Sequence, residues 1–465
     1  MKYITNLVFL FICLFLNACS NDNNDERPET LGWIEDTMRE KYYWNSEIPN
    51  KLAYTTDEKD FFKSLLSNKD GKTKGTNRYY YSYIEKASES TRGSMKENYT
   101  YGFEFTTVSG FKDQNGTTFT GALILYVYPN TPAAKAGLKR GEWIVRIDGE
   151  YFTSTETIKT LYGDVAKEFM VYQWNDKQGF INGRLVPVEA AESITNYSPI
   201  YHYDKLTASN GKQVGYMIYD RFQAGKDDKG KEYDDELRQL SHWFSGIDEF
   251  ILDLRYNNGG LLSSTQLLCT ILGPSTILSK NIGYMEYADG TKSDFSASQS
   301  ILGSGKNLNL PSRRLYVLTS STTASASEAV INLLDPYMDV IVIGEKTEGK
   351  NVGSQEFVSD DKVWEMHPIT SKIFNSDNKS DYSNGWDPDH ILDDVLYHYP
   401  NGSVDPREGI VDLGDEEERL LKVALHHIVN GSFPAAIDRT RTTKSTSHKL
   451  GINSLDRKAA PIFID

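Results

Sequence analysis

Cysteine is nearly absent. Cys13, Cys19 and Cys269 are the only three in 465 residues. So few cannot support a disulfide framework. There is no Cys-x-x-Cys pair and no His-Glu-x-x-His, which argues against a zinc enzyme. Gly-x-Ser-x-Gly is missing too, which argues against an α/β-hydrolase elbow. Positive charge is in deficit: 50 Lys and Arg stand against 65 Asp and Glu, a formal net charge of −15. That argues against nucleic acid or an anionic membrane surface as partners, and reads most simply as plain solubility. None of the eight histidines has a recognisable partner pattern. His390, His426 and His427 read as surface or helix-face residues. Cys269, within Leu267-Leu268-Cys269-Thr270-Ile271-Leu272, reads as an inert core thiol. No internal repeat is visible. The apolar run Leu7 to Leu16 covers ten residues, too short to span a bilayer.

What is present centres on two residues. Ser325 opens Ser325-Ala326-Ser327-Glu328, and Lys350 closes Gly344-Glu345-Lys346-Thr347-Glu348-Gly349-Lys350. Between them the periodicity predicts a helix, then the short buried strand Asp339 to Ile343. A serine at a helix start and a lysine past a strand end can meet at one edge of a sheet. A lysine held neutral can serve as the base for a serine nucleophile. Two other readings compete. Ser325-x-x-Glu328 is also a capping box. Gly344-x4-Gly349-Lys350 approaches a phosphate-binding loop, with Phe250 to Asp253 as an acidic strand. Asn351 stands where that loop needs Ser or Thr, and the acidic strand precedes the loop instead of following it.

Three ordered motifs carry a family resemblance. Asp253-Leu254-Arg255-Tyr256-Asn257-Asn258-Gly259-Gly260 resembles the Asp-Leu-Arg-x-Asn-x-Gly-Gly turn of the C-terminal processing peptidases, the S41 serine proteases. Thr323 to Glu328 resembles their nucleophile segment, and Gly344 to Lys350 their base segment, 25 residues apart from serine to lysine. The resemblance implies Ser325 as nucleophile, Lys350 as base, and no metal or cofactor. The oxyanion donors would be the N–H of Ala326 and that of Gly259 or Gly260, where a missing side chain lets backbone approach. Many members carry glutamine four residues after the lysine. Here that position is Ser354 and the glutamine is Gln355, taken as a supporting group; Asp335 lies one place off another acidic position of the family.

The organisation follows the same family. Lys2, the apolar run and Leu16-Asn17-Ala18-Cys19 look like a lipoprotein signal peptide over residues 1–18, with Cys19 the lipidated residue. Residues 19–30 read as an acidic tether, and 31–100 as a small N-terminal helical domain. Residues 101–178 resemble a PDZ domain, on the run Pro132-Ala133-Ala134-x-Ala136-Gly137-Leu138-x-x-Gly141-Glu142-x-Ile144-Val145. Tyr101, Gly102, Phe103 and Phe105 sit where such domains bind a terminal carboxylate and an apolar last side chain. Over residues 189–430 the resemblance implies an α/β catalytic domain of the S41 (ClpP/crotonase-like) type, and strands alternating with helices imply parallel pairing with sites at strand ends. Residues 360–394 read as surface loops and 431–465 as a tail with a low-complexity stretch. The fold class is thus a multidomain α+β and α/β protein.

The expected function is a serine endopeptidase acting on proteins or peptides, with free apolar C-termini docked on the PDZ domain. The expected location is the cell envelope, on the outer membrane through a lipid anchor, facing the periplasm or the cell surface. The alternative is a catalytically inactive S41-like lipoprotein that binds peptides or other ligands.

Overall fold

A computed structural model describes residues 27–74, 77–87, 99–163, 165–193, 197–227, 229–435 and 448–455. Cys19, the signal peptide and most of the tether fall outside them.

The catalytic domain is built on a six-stranded sheet. Its order is Ile200–Thr207, Gln213–Tyr219, Glu249–Asp253, Arg314–Thr319, Asp339–Gly344 and His390–Ile391. Only the first pair is antiparallel; every later pairing is parallel. The central strands read as near-continuous apolar runs because both faces are covered. On one face Phe250, Leu252 and Val317 pack with helices Glu232–Trp243, Leu262–Leu272 and Ala326–Leu334. On the other, Ile251, Tyr316 and Leu318 pack with helix Arg419–Asn430. Parallel strands place their C-terminal ends, and the loops leaving them, along one edge.

The PDZ unit is an antiparallel sheet in the order Gly179–Val188, Lys167–Asn175, Trp143–Ile147, Thr118–Val127, Phe103–Lys112, Lys449–Asn453. It extends past residue 178, because Gly179–Val188 forms a hairpin with Lys167–Asn175. The tail assignment also needs correction: Lys449–Asn453 is the sheet's last strand, paired antiparallel with Phe103–Lys112. Of the low-complexity stretch 440–449, residues 440–447 lie outside the described residues, and Lys449 opens the strand.

Two other expectations change. Within residues 31–100, expected to be helical, Lys72–Lys74 forms an antiparallel hairpin with Asn77–Tyr79, so the N-terminal unit is not purely helical. Residues 360–394 contain strands Trp364–His367 and Ile369–Asn375, the second pairing with Lys280–Tyr287 and Val352–Ser354. Trp364–His367 pairs with Tyr83–Lys86, which seals the N-terminal unit onto the catalytic domain. The last helix of this domain runs from Arg419 to Asn430. Glu418 accepts from the N–H groups of Leu420 and Leu421, and so fixes the N-terminus.

Candidate active site

Ser325 follows strand Arg314–Thr319 and immediately precedes helix Ala326–Leu334. Its backbone has φ 62° and ψ −117°, a conformation that L-residues avoid. A non-glycine residue held there marks a sharp strand-to-helix elbow, reached here without flanking glycines. The loop is pinned from below. Ala324 N–H and Ser327 Oγ both donate to Asn257 O (3.2 and 2.9 Å), and Thr323 Oγ1 donates to Leu254 O (2.9 Å). Ser325 Oγ is buried and makes no hydrogen bond. The capping-box arrangement is present at this helix start: Ser325 N–H donates to Glu328 Oε2 at 2.9 Å, and Ser325 Oγ faces the Glu328 N–H without closing a well-formed hydrogen bond.

Glu328 does more than close a helix. It is fully buried, and it also accepts from Thr347 Oγ1 (2.5 Å), Gly349 N–H (2.6 Å) and Lys350 N–H (2.7 Å). One carboxylate thus ties the serine elbow to the lysine loop. Glu348 N–H donates to Thr323 O (2.9 Å) and adds a second tie. Burial raises the Glu328 carboxyl to about 7, against the pull of its four donors.

Lys350 is 8 % exposed, and its Nζ lies 5.3 Å from the centre of the Tyr81 ring. Burial lowers its pKa to about 8, although Asp70, Glu348 and Glu328 pull the other way. Tyr81 and Asp70 come from the N-terminal unit. Asp70 is fixed by Tyr42 OH (3.0 Å) and by the N–H groups of Tyr81 (2.8 Å) and Ser82 (3.1 Å). Lys72 donates to Glu348 O and Tyr79 to the Glu348 carboxylate, so the hairpin covers the lysine loop. The serine and lysine are not hydrogen-bonded to one another in this resting arrangement. Catalytic hydrogen bonds commonly tighten only when substrate is bound.

The glycine turn lies against the serine. A Cβ on Gly259 would sit 2.6 Å from Ser325 Cβ, and one on Gly260 would sit 2.1 Å from Phe222 O. Both have positive φ, 113° and 133°. Their N–H groups differ. That of Gly259 already donates to Asn257 Oδ1 at 2.8 Å, whereas those of Gly260 and Ala326 donate to no acceptor among the described residues.

Below the turn lies an ionic cluster. Fully buried Arg255 forks onto Glu418 (2.7 and 2.8 Å) and reaches Asp253 (3.0 Å) and Asp394 (3.1 Å). Arg140 of the PDZ unit bonds Asp394 at 2.5 Å. Burial opposes ionisation of Asp394 and Glu418, but the arginines hold both carboxyls below their ordinary range. This cluster explains why the turn motif carries Asp253 and Arg255, and it docks the PDZ unit.

Three expectations fail on geometry. Gln355 makes no side-chain hydrogen bond to Lys350; its N–H reaches Pro368 O at 3.4 Å. Ser354, four residues after the lysine, is fully buried, while Gln355 is only half-buried. Asp335 is exposed at the far end of the helix, and the acid that supports the loop is Glu328. In the PDZ unit Tyr101 and Phe103 are core residues at most 2 % exposed and do not line an open pocket, while the equally buried Phe105 has the chain's own Ile452 packed on its cluster. Gly102 N–H is already taken by Thr100 Oγ1 at 3.1 Å. Cys269 is buried, and burial raises its thiol pKa, as an inert core residue requires.

A strained serine and a desolvated lysine at the ends of parallel strands, in a domain that carries a PDZ-type module, define a class: PDZ-bearing α/β proteins with a serine–lysine constellation. Comparisons sharpen this. The sequence model of peptidase family S41 matches residues 213–392, that of the peptidase S41 N-terminal domain 29–83, and a PDZ domain model 123–162. A crystal structure of a protein from Bacteroides fragilis assigned to the S41 proteases superposes with a TM-score of 0.72 at 30% identity, covering 86% of this chain and 97% of that one. The chain belongs to peptidase family S41. It is also 28% identical over 233 residues to a carboxyl-terminal-processing protease of Picosynechococcus sp., and 31% over 228 residues to one of Synechocystis sp.. Those matches cover 49% and 48% of this chain, and about half the length of each relative, 50% and 48%.

Proposed function

We propose that this protein is a serine endopeptidase that cleaves proteins or peptides with a Ser325–Lys350 dyad. One observation carries the reading: Glu328 binds the strained serine elbow and the lysine loop together, beside a serine hydroxyl left without a partner. An inactive binding protein has no use for a serine held in a disfavoured conformation.

In this reading neutral Lys350 takes the Ser325 proton as Oγ attacks the peptide carbonyl, then returns it to the leaving amine. The N–H groups of Ala326 and Gly260 receive the developing oxyanion. Gly259 positions the turn, since its own donor is spent on Asn257. Cleavage of an unfolded protein substrate tests this. Ser325→Ala and Lys350→Ala each lower kcat by roughly 10³-fold or more with the fold retained. Lys350→Arg fails as well, because a guanidinium does not deprotonate in the working range. Wild-type kcat/KM rises with pH through about 8, as Lys350 loses its proton. Substantial activity in Lys350→Ala would remove the dyad.

The PDZ unit is the proposed docking module for substrate chain ends, and peptides with free apolar C-termini fit such modules. The resemblance of residues 16–19 to a lipobox supports a lipid anchor at Cys19 and a place in the cell envelope, on the outer membrane. No helix among the described residues is long and apolar enough to cross a membrane. In cell fractionation Cys19→Ser moves the protein from the membrane to the soluble fraction; an unchanged distribution would refute the anchor.

A further inference from the structure

The chain's own C-terminal segment lies on the open edge of strand Phe103–Lys112. Lys449–Asn453 runs antiparallel to it, with Lys449 opposite Ser109, Leu450 opposite Val108 and Asn453 opposite Thr106. Its direction carries the chain towards the loop at Tyr101 and Gly102. This is the way an added peptide strand lies on a sheet edge: backbone bonds supply affinity and alternate side chains supply selectivity.

The side chains fit specific places. Ile452 packs on the cluster that contains Phe105, Ile158 and Leu161, the groove between this strand and helix Thr155–Lys159. Gly451 faces Thr107; a Cβ there would meet Thr107 Oγ1 at 2.5 Å. That hydroxyl donates to Ile452 O at 3.0 Å, and Ser109 Oγ donates to Lys449 O at 3.3 Å. Ser454 Oγ accepts from Phe105 N–H (2.7 Å) and donates to the buried Glu104 carboxylate (2.6 Å). Leu455 is fully buried beside Tyr256, and its carbonyl accepts from Asn258 Nδ2 at 3.0 Å, one residue from Gly259.

We propose that residues 449–455 are a resident ligand of the PDZ edge, and that their pattern states what the edge accepts. An incoming extended segment needs a small residue opposite Thr107, an apolar one in the Ile452 groove, a hydroxyl between Glu104 and the Phe105 N–H, and an apolar residue next after it. It displaces the resident strand to dock. The proposal rests on the PDZ unit being the peptide-docking module. A segment tethered to the same chain faces its site at an effective concentration of order mM. With an intrinsic affinity of about 10 μM for the resident strand, a free peptide is then weakened about 100-fold on the intact protein.

The test uses a fluorescent peptide of residues 448–455, His-Lys-Leu-Gly-Ile-Asn-Ser-Leu, and the full chain in three forms: wild type, a truncation ending at residue 447, and Gly451→Val. The valine form keeps the segment but pushes it off Thr107, so it stands in if the truncation does not fold. Expected is binding to the truncated and Gly451→Val proteins about 100-fold tighter than to wild type. A peptide with valine at the Gly451 position does not compete, and an unlabelled unrelated peptide that keeps the pattern does. Equal binding to all three proteins would overturn the inference. Tight binding of the 448–455 peptide to the opened proteins, with no displacement by the unrelated peptide, would make the segment a structural strap and overturn it too. If an unrelated peptide with a free apolar C-terminus binds wild type as tightly as the opened forms, docking occurs elsewhere. The inference then fails while the PDZ reading stands. If no peptide binds any folded form, both fail.

Discussion

Two groups of buried carboxylates lie within one domain, and their surroundings give them opposite tendencies. Asp394 and Glu418 face Arg140 and Arg255 and are held ionised. Glu328 meets a hydroxyl and three backbone N–H groups, and burial raises it to about 7. The first arrangement neutralises charge by pairing and fixes the strand, the turn and the PDZ unit. The second leaves a carboxylate near neutrality between the serine elbow and a lysine that is itself lowered to about 8. Fully paired ions mark a structural joint here. Incompletely compensated ones mark the site where protons are expected to move.

The largest effect in this comparison falls on the paired group. Arg255→Ala strands buried Asp253 and leaves Asp394 and Glu418 with Arg140 alone, at 2.5 and 3.8 Å, which destabilises the protein by about 3–5 kcal/mol, read as a lowered denaturation midpoint with unchanged m-value. A change below about 1 kcal/mol would show that the cluster is solvated and that the contrast with Glu328 is false. Asp394 and Glu418 also set the acid limb of stability, whereas burial raises Asp253 of the same cluster. Carboxyls whose folded pKa is depressed stabilise above their unfolded pKa, and that contribution is lost as pH falls through the folded value.

Glu328 has the reverse sign. A carboxyl raised to about 7 holds its proton more tightly in the folded state. Its contribution is greatest below the unfolded pKa and is lost as pH rises through about 7. Glu328→Gln, compared with wild type by thermal melts across pH 4.5 to 7, removes that downward slope. The amide also points N–H donors at backbone donors, so kcat falls by roughly 10- to 100-fold while the fold survives. Wild-type kcat in this variant would reduce Glu328 to a plain helix cap.

What the sequence showed and hid follows from the range of each contact. The Asp253–Gly260 turn, the Ser325 segment and the Lys350 loop are contiguous patterns, so their residue types and order pointed to one strand edge. Ser325-x-x-Glu328 was legible as a capping box, but three of the four bonds to Glu328 come from Thr347, Gly349 and Lys350, which no local pattern reports. Tyr81 and Asp70 border Lys350 across some 270 residues of chain, with no sequence signal at all. Tyr101 and Phe103 had the right motif but serve the core, because aromatic residues on a sheet serve a core as readily as a pocket, and nothing local reports that Ile452 covers the cluster of Phe105. The C-terminal strand did leave a trace. Leu450 and Ile452 alternate with Lys449, Gly451 and Asn453, a period of two beside a polar stretch that drew attention away.

The smallest effect separates pairing at the surface from pairing in the interior. His398 bridges Glu345 (3.0 Å) and Asp393 (3.8 Å) next to the start of the lysine loop. Burial alone would lower its pKa, but Asp393 and Glu345 overcome it and raise the imidazole to about 10. Such a group stabilises fully below its unfolded pKa of about 6.5, and the contribution is lost as pH rises through about 10. The side chain is 35% exposed, so solvent screens the pair and its worth stays under about 1 kcal/mol. His398→Asn therefore lowers stability slightly at pH 6, and the difference from wild type closes above pH 10. Salt distinguishes the two kinds of pair. Raising ionic strength shrinks the His398 difference and leaves that of Arg255→Ala nearly unchanged, since a fully buried cluster is screened much less. A His398 difference as insensitive to salt as that of Arg255 would mean that this bridge belongs with the buried joint instead of the surface.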